Sequence, residues 1–278
     1  MQLVESGQVK LDEPAATYLP ELSGVKVLQD FDASTGKATL GTPKSTPTVR
    51  QLLTHTSGFA YEFFDAKLQA YVASGAVPPF STGDEGFLKA PLMFDPGTRW
   101  EYGISADWLG KLVEKVTSQS LDKYFRQHIF EPLGMADTFY NVPADKQERV
   151  VATERRQQDG SFVEPPPPPF KMVHSFSGAG GLYSTAGDYL KFERMLLGRG
   201  KLGGKRILRA ETVEQMTRTH RSRKIPSAFL AHRTSSAWDS RSIQDQSQAG
   251  EGAVLWPGPV FSIPISGSIR QITRAPSS

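Results

Sequence analysis

The stretch Asp95-Pro96-Gly97-Thr98-Arg99-Trp100-Glu101-Tyr102-Gly103-Ile104-Ser105 constrains this chain most, because it sets a tight turn directly before an amphipathic helix. Pro96-Gly97 makes the turn. Ser105 is suited to cap the helix that follows, and Trp108, Leu109, Leu112, Val113 and Val116 fall on one 3.6-period face of it. A tyrosine held between a turn and a helix N-terminus lies near amide donors and the positive end of a dipole, surroundings that favour phenolate over phenol. Tyr102 is therefore a candidate proton acceptor. The competing reading is a half-buried packing residue whose hydroxyl ties down a loop.

Composition removes several other chemistries. The chain has no cysteine, which excludes disulfides, thiolate nucleophiles and cysteine zinc sites. Its five histidines, His55, His128, His174, His220 and His232, lie far apart without a His-Glu-x-x-His pair, so no metal or other cofactor is expected. A formal charge of +3, with basic and acidic residues interspersed, reads as a solvated surface and not a nucleic-acid footprint. No apolar run reaches the length of a membrane span. The start, Met-Gln-Leu-Val-Glu, has neither the basic nor the apolar region of a signal peptide, which makes the cytoplasm the default location. Oligomeric state is not readable from these features.

Along the chain, Met1 to Glu5 before Ser6-Gly7 reads as a last helical turn stopped by glycine, so the sequence is expected to open inside an element. Thr48-Val49-Arg50-Gln51 has capping-box spacing for a short helix ending near Ser57-Gly58. His55 and Ser57 there read as a helix terminus with polar caps. A further helix is expected from about Ser120 to Pro132-Leu133-Gly134, and Asp159-Gly160 signals a hairpin between Val150–Thr153 and Phe162-Val163. Residues 165–169, all proline, read as a stiff polyproline connector. Thr185 should cap a helix that turns Tyr189, Phe192, Leu196 and Leu197 inward. Gly178, Gly180 and Gly181 lack the spacing of a dinucleotide fingerprint; they suit a tight backbone turn, and Gly180 and Gly181 are candidates to border a substrate cleft.

Four blocks in fixed order carry a resemblance: Val49-Arg50-Gln51-Leu52-Leu53-Thr54-His55-Thr56-Ser57-Gly58-Phe59, the Tyr102 stretch, Ile129-Phe130-Glu131-Pro132-Leu133-Gly134-Met135, and Gly178 to Tyr189. Together they resemble the serine hydrolases related to class C β-lactamases, D-alanyl-D-alanine carboxypeptidases and family VIII carboxylesterases. The resemblance runs from about Met1 to about His220. It implies an α+β fold of the β-lactamase/transpeptidase type, a helical region with a partial antiparallel sheet over residues 1–220. Beyond it, residues 221–278 match no expected strands and read as an atypical tail, poorly ordered, diverged, mispredicted or frame-shifted. An incomplete sheet leaves unpaired amides, so low solubility or dependence on a partner chain is expected.

In that family the serine of Ser-x-x-Lys attacks an acyl group, a tyrosine shares the base role and a strand supplies oxyanion donors. Tyr102 takes the tyrosine position. Ile104 stands at the variable asparagine position, which favours an ester over a β-lactam substrate, and Trp256-Pro257-Gly258 is the candidate third motif, with Trp256 as a binding residue. Ser-x-x-Lys spacings begin at Ser23, Ser34 and Ser120, but the first two sit in glycine turns and the third reads as a helix cap. By the resemblance the nucleophile motif lies before Met1, and the chain as written is expected to be inactive. The partner implied is a small-molecule ester or amide; the alternatives are a non-catalytic binding protein keeping the cleft, a relic without function, or a β-lactam or D-Ala-D-Ala peptide hydrolase once the full chain is restored.

Overall fold

The computed structural model describes residues 1–218 apart from 153, 158 and 164–169, and the backbone but not the side chain of Arg155. In chain order the elements are α1 (Gln2–Glu5), β1 (Val27–Asp32), β2 (Lys37–Gly41), α2 (Val49–Leu53), α3 (Ala66–Ala73), α4 (Ser105–Thr117), α5 (Leu121–Phe125), α6 (Glu131–Leu133), β3 (Arg155–Arg156), β4 (Phe162–Val163), α7 (Ala186–Leu197), β5 (Lys201–Leu202), β6 (Lys205–Arg206) and α8 (Ala210–Thr217). Short 3₁₀ turns join several of them, and a π-helical stretch, Arg126–Phe130, links α5 to α6. The described residues form two compact units, one of residues 10–109 and one of residues 1–9 with 110–216.

In the first unit β1 and β2 pair antiparallel, with a register break between Leu28 and Asp30. Leu92 runs alongside β1: the Leu28 amide donates to the Leu92 carbonyl at 2.7 Å and the Leu92 amide to Lys26 at 2.8 Å. The next residue passes the chain on, as the Met93 amide donates to the Gly58 carbonyl at 2.7 Å. Leu28, Val49, Leu52, Phe59, Leu68 and Leu92 are buried in this unit. The capping box forms as the sequence indicates: the Gln51 amide donates to Thr48 Oγ1, and Gln51 Oε1 accepts from the Thr48 amide.

The second unit packs Phe130, Leu133, Met135, Met195, Ile207, Leu208 and Val213 into one cluster. Ser120 caps α5 as expected, its hydroxyl accepting from the Lys123 amide. Thr185 caps α7. The inward face of α7 differs in one place: Met195 is buried, whereas Leu197 is 66% exposed. A helix advances 100° per residue, so the stripe that buries Asp188 and Met195 carries Leu197 past its edge. The hairpin at Asp159-Gly160 is present, but it pairs Arg155–Arg156 with Phe162–Val163, closer to the turn than Val150–Thr153. Among the described residues all sheets are two-stranded and antiparallel, consistent with an α+β fold. The polyproline stretch and the tail from residue 219 lie outside the described residues.

Candidate active site

The Tyr102 region is assembled by lacing two loops together. After α2 the chain turns through His55, whose φ of +53° is the left-handed region seldom used outside glycine. The His55 carbonyl accepts from the Glu101 amide at 3.0 Å and the Thr56 carbonyl from the Gly97 amide at 2.7 Å. A buried bond between Ser57 Oγ and Ser105 Oγ, 2.7 Å long, adds a second tie. Gly103 permits a close approach of backbone to backbone: a Cβ there would sit 2.5 Å from both Ala60 Cα and the Phe59 carbonyl oxygen. Only glycine fits at that contact.

Around Tyr102 these ties gather aromatic rings. Its ring centroid lies 4.7 Å from that of His55, 5.4 Å from Tyr61 and 6.1 Å from Phe64. Tyr61 in turn stacks on Phe63 at 4.8 Å, and Phe63 and Phe64 are 55% and 39% exposed. Beneath them the Tyr61 hydroxyl donates to Asp107 Oδ2 at 3.2 Å. Burial, then the Asp107 charge, raises the Tyr61 phenol far above its ordinary range.

The protonation state of Tyr102 is the reverse of the one its sequence setting suggests. Burial first, and the nearby Asp107 carboxylate second, push its phenol up to about 12. No hydrogen-bond partner for its hydroxyl is found among the described residues, so the turn amides do not stabilise a phenolate. Ser105 is the first residue of α4, and its hydroxyl engages Ser57. Asp107, in the first turn of α4, places a negative charge where the helix dipole alone would be positive.

The remaining sequence candidates fall as follows. Ile104 is 2% exposed and packed inward, so the asparagine position offers no side chain to a ligand. Gly180 and Gly181 belong to the other unit; Gly181, at φ +89°, turns the chain into the antiparallel bridge between Phe139 and Tyr183. Trp256 lies outside the described residues. Ser34 donates to Asp32 at the tip of the β1–β2 hairpin, and Ser23 donates to the Pro20 carbonyl in a 3₁₀ turn. Among the described residues no cluster of His, Asp or Glu is arranged to hold a metal.

The family follows from comparison. The sequence model described as Beta-lactamase matches residues 1–269. The chain belongs to the beta-lactamase family. It is 36% identical over 221 residues to the acyltransferase mokF of Monascus pilosus, spanning 78% of this chain and 52% of that protein. It is 32% identical over 245 residues to the lovastatin esterase of Penicillium rubens, spanning 85% of this chain and 59% of that protein. Among solved structures, unliganded simvastatin synthase from Aspergillus terreus superposes with a TM-score of 0.70 at 33% identity, over 81% of this chain and 55% of that one. The chain thus spans about half the length of the curated relatives it matches. The β-lactamase/transpeptidase-like fold expected from the sequence is the fold observed.

The composition of the Tyr102 surroundings was not anticipated from sequence. Tyr61, Phe63 and Phe64 offered one signal, three aromatics within four residues just after the Thr56-Ser57-Gly58 turn. Asp107 offered none beyond being an acid in a first helical turn.

Proposed function

We propose that this chain carries the tyrosine part of an acyl-transfer site in which a serine takes the acyl group of an ester and passes it to an alcohol or to water. The supporting observation is Tyr102 itself: a half-buried phenol whose hydroxyl has no partner among the described residues, edged by the exposed ring of Phe64, on which the exposed ring of Phe63 packs. An apolar acyl or alcohol group would lie on those rings while the phenol faces the reacting oxygens. The relatives' names span both outcomes, acyltransferase and esterase, so either acceptor suits the site. An ester remains preferred to a β-lactam, because Ile104 is turned inward.

With its proton held to about pH 12, Tyr102 acts first as a donor, able to protonate a departing alkoxide. Working as a base requires a cation beside the phenol to bring it down. Ser57 and Ser105 are bonded to one another and fully buried, which disqualifies both as nucleophiles.

The reaction itself is the test. Release of nitrophenolate from nitrophenyl butyrate should stay at background with this chain, appear when a Ser-x-x-Lys-bearing segment of the family is joined ahead of Met1, and vanish again on Tyr102→Phe. Release that survives Tyr102→Phe, or mass-spectrometric acylation of Ser23, Ser34 or Ser120, would overturn the proposal.

A further inference from the structure

Three features meet at His55. It is a non-glycine residue in the left-handed region; its Nδ1 is buried without a hydrogen-bond partner among the described residues; and of those residues its ring makes the shortest aromatic contact to Tyr102. Strained backbone and unsatisfied buried atoms persist in native structures only where surrounding contacts hold them, and they concentrate at functional sites. Here the holding contacts are the His55 amide to Leu52 at 3.3 Å and the His55 carbonyl to Glu101, the residue before Tyr102. A side chain projected from this turn therefore has its position fixed relative to the phenol.

Tyr102 needs such a wall. Since its hydroxyl has no partner among the described residues, ring packing alone orients it. Tyr61 and Phe64 stand 5.4 and 6.1 Å from it, and His55 stands nearest, at 4.7 Å and tilted 47° to the phenol ring. We infer that His55 is a positioning residue for Tyr102: its imidazole is the rigid face against which the phenol is set, and it acts through packing, not proton transfer. Burial lowers the imidazole to about 4, so at neutral pH it is uncharged and adds no cation beside the phenol. The charged group that does bear on Tyr102 is Asp107.

The inference deepens the acyl-transfer reading, on which it rests, but its test needs no turnover. Two substitutions separate ring from backbone. His55→Asn keeps a residue that tolerates the left-handed region and removes the ring; His55→Phe keeps a ring of similar shape in a residue that tolerates that region less well. Ionisation of Tyr102 is followed by ultraviolet titration of each variant against the same variant carrying Tyr102→Phe. His55→Asn should fold and shift the Tyr102 midpoint down by about one pH unit, toward the ordinary tyrosine value of about 10. His55→Phe should hold the midpoint near that of the unsubstituted chain, even if it melts at a lower temperature. A backbone role alone predicts the opposite ranking. Should His55→Phe fail to fold, His55→Gly repeats the ring-free test. An unshifted midpoint in both His55→Asn and His55→Gly overturns the inference. Loss of the catalytic reading would instead show as turnover indifferent to Tyr102→Phe, a separate result.

Discussion

Replacing Gly103 by alanine tests the assembly of the Tyr102 site where its two loops meet backbone to backbone. The new methyl would meet Ala60 Cα at 2.5 Å, the Phe59 carbonyl oxygen at 2.5 Å and the Ala60 carbonyl carbon at 2.7 Å. Carbon atoms pack at about 3.5–4.0 Å, so one of the two strands of chain must retreat by roughly 1 Å. Overpacking of this kind costs about 1–3 kcal/mol, and the upper part of that range applies because the opposing atoms are backbone and cannot swing aside. Against it stands a gain of about 0.4–1 kcal/mol from stiffening the unfolded chain. The net loss is then about 2 kcal/mol, or a fall in melting temperature of roughly 4–8 °C for a chain of this size. Gly24→Ala is the control, since a Cβ there meets nothing within 4 Å. Melting followed by circular dichroism should separate the two variants, and the retreat should also move Tyr102 away from Tyr61. A Gly103→Ala protein as stable as Gly24→Ala would refute the close approach on which the site is built.

Other expectations follow from the same structure. Thr48→Ala removes the capping box of α2 and should lower stability by about 1 kcal/mol in urea titration, with Thr48→Ser restoring most of it. Asp137 accepts from Arg149 and Lys146, which hold its carboxyl down to about 2. Its contribution is present in full above the ordinary aspartate value of about 3.9 and is lost as pH falls toward 2, so Asp137→Asn should flatten the stability profile across that window. His55 behaves in the same direction for a different reason. Its folded value of about 4 lies below the ordinary value of about 6.5, so the unfolded chain binds the extra proton and stability declines as pH falls from about 6.5 to 4. His55→Phe should remove that slope in denaturation measured at several pH values.

Much of the local structure is legible in the residues. The capping box at Thr48, the caps at Ser120 and Thr185 and the glycine stops follow from side chains acting on their own backbone within a few positions. Where the answer depended on residues far apart in sequence, local reasoning failed. The phenol of Tyr102 reads as a stabilised anion when only its turn and helix are considered; burial among the rings of His55, Tyr61 and Phe64, brought in by folding, reverses that, with the Asp107 carboxylate five residues on adding to it. Leu197 illustrates the same limit, since its place on α7 satisfies an apolar pattern while the packed stripe runs through Met195. The strained turn at His55 carries no sequence signal, because the left-handed backbone there is imposed by its ties to Leu52 and Glu101.

The most direct measurement is carbon-13 NMR of the chain labelled at the ring carbons of tyrosine, titrated with a non-hydrolysable phosphonate ester bearing an aliphatic group. The Tyr102 signal is assigned by its absence in Tyr102→Phe. If Tyr102 stands at an acyl-transfer site, that signal moves saturably while that of Tyr18, a tyrosine of the same unit with no ring contact to Tyr102 among the described residues, stays in place. A ligand that binds and shifts other tyrosines while leaving Tyr102 unmoved, or no binding up to the solubility limit of the ester, would contradict the account.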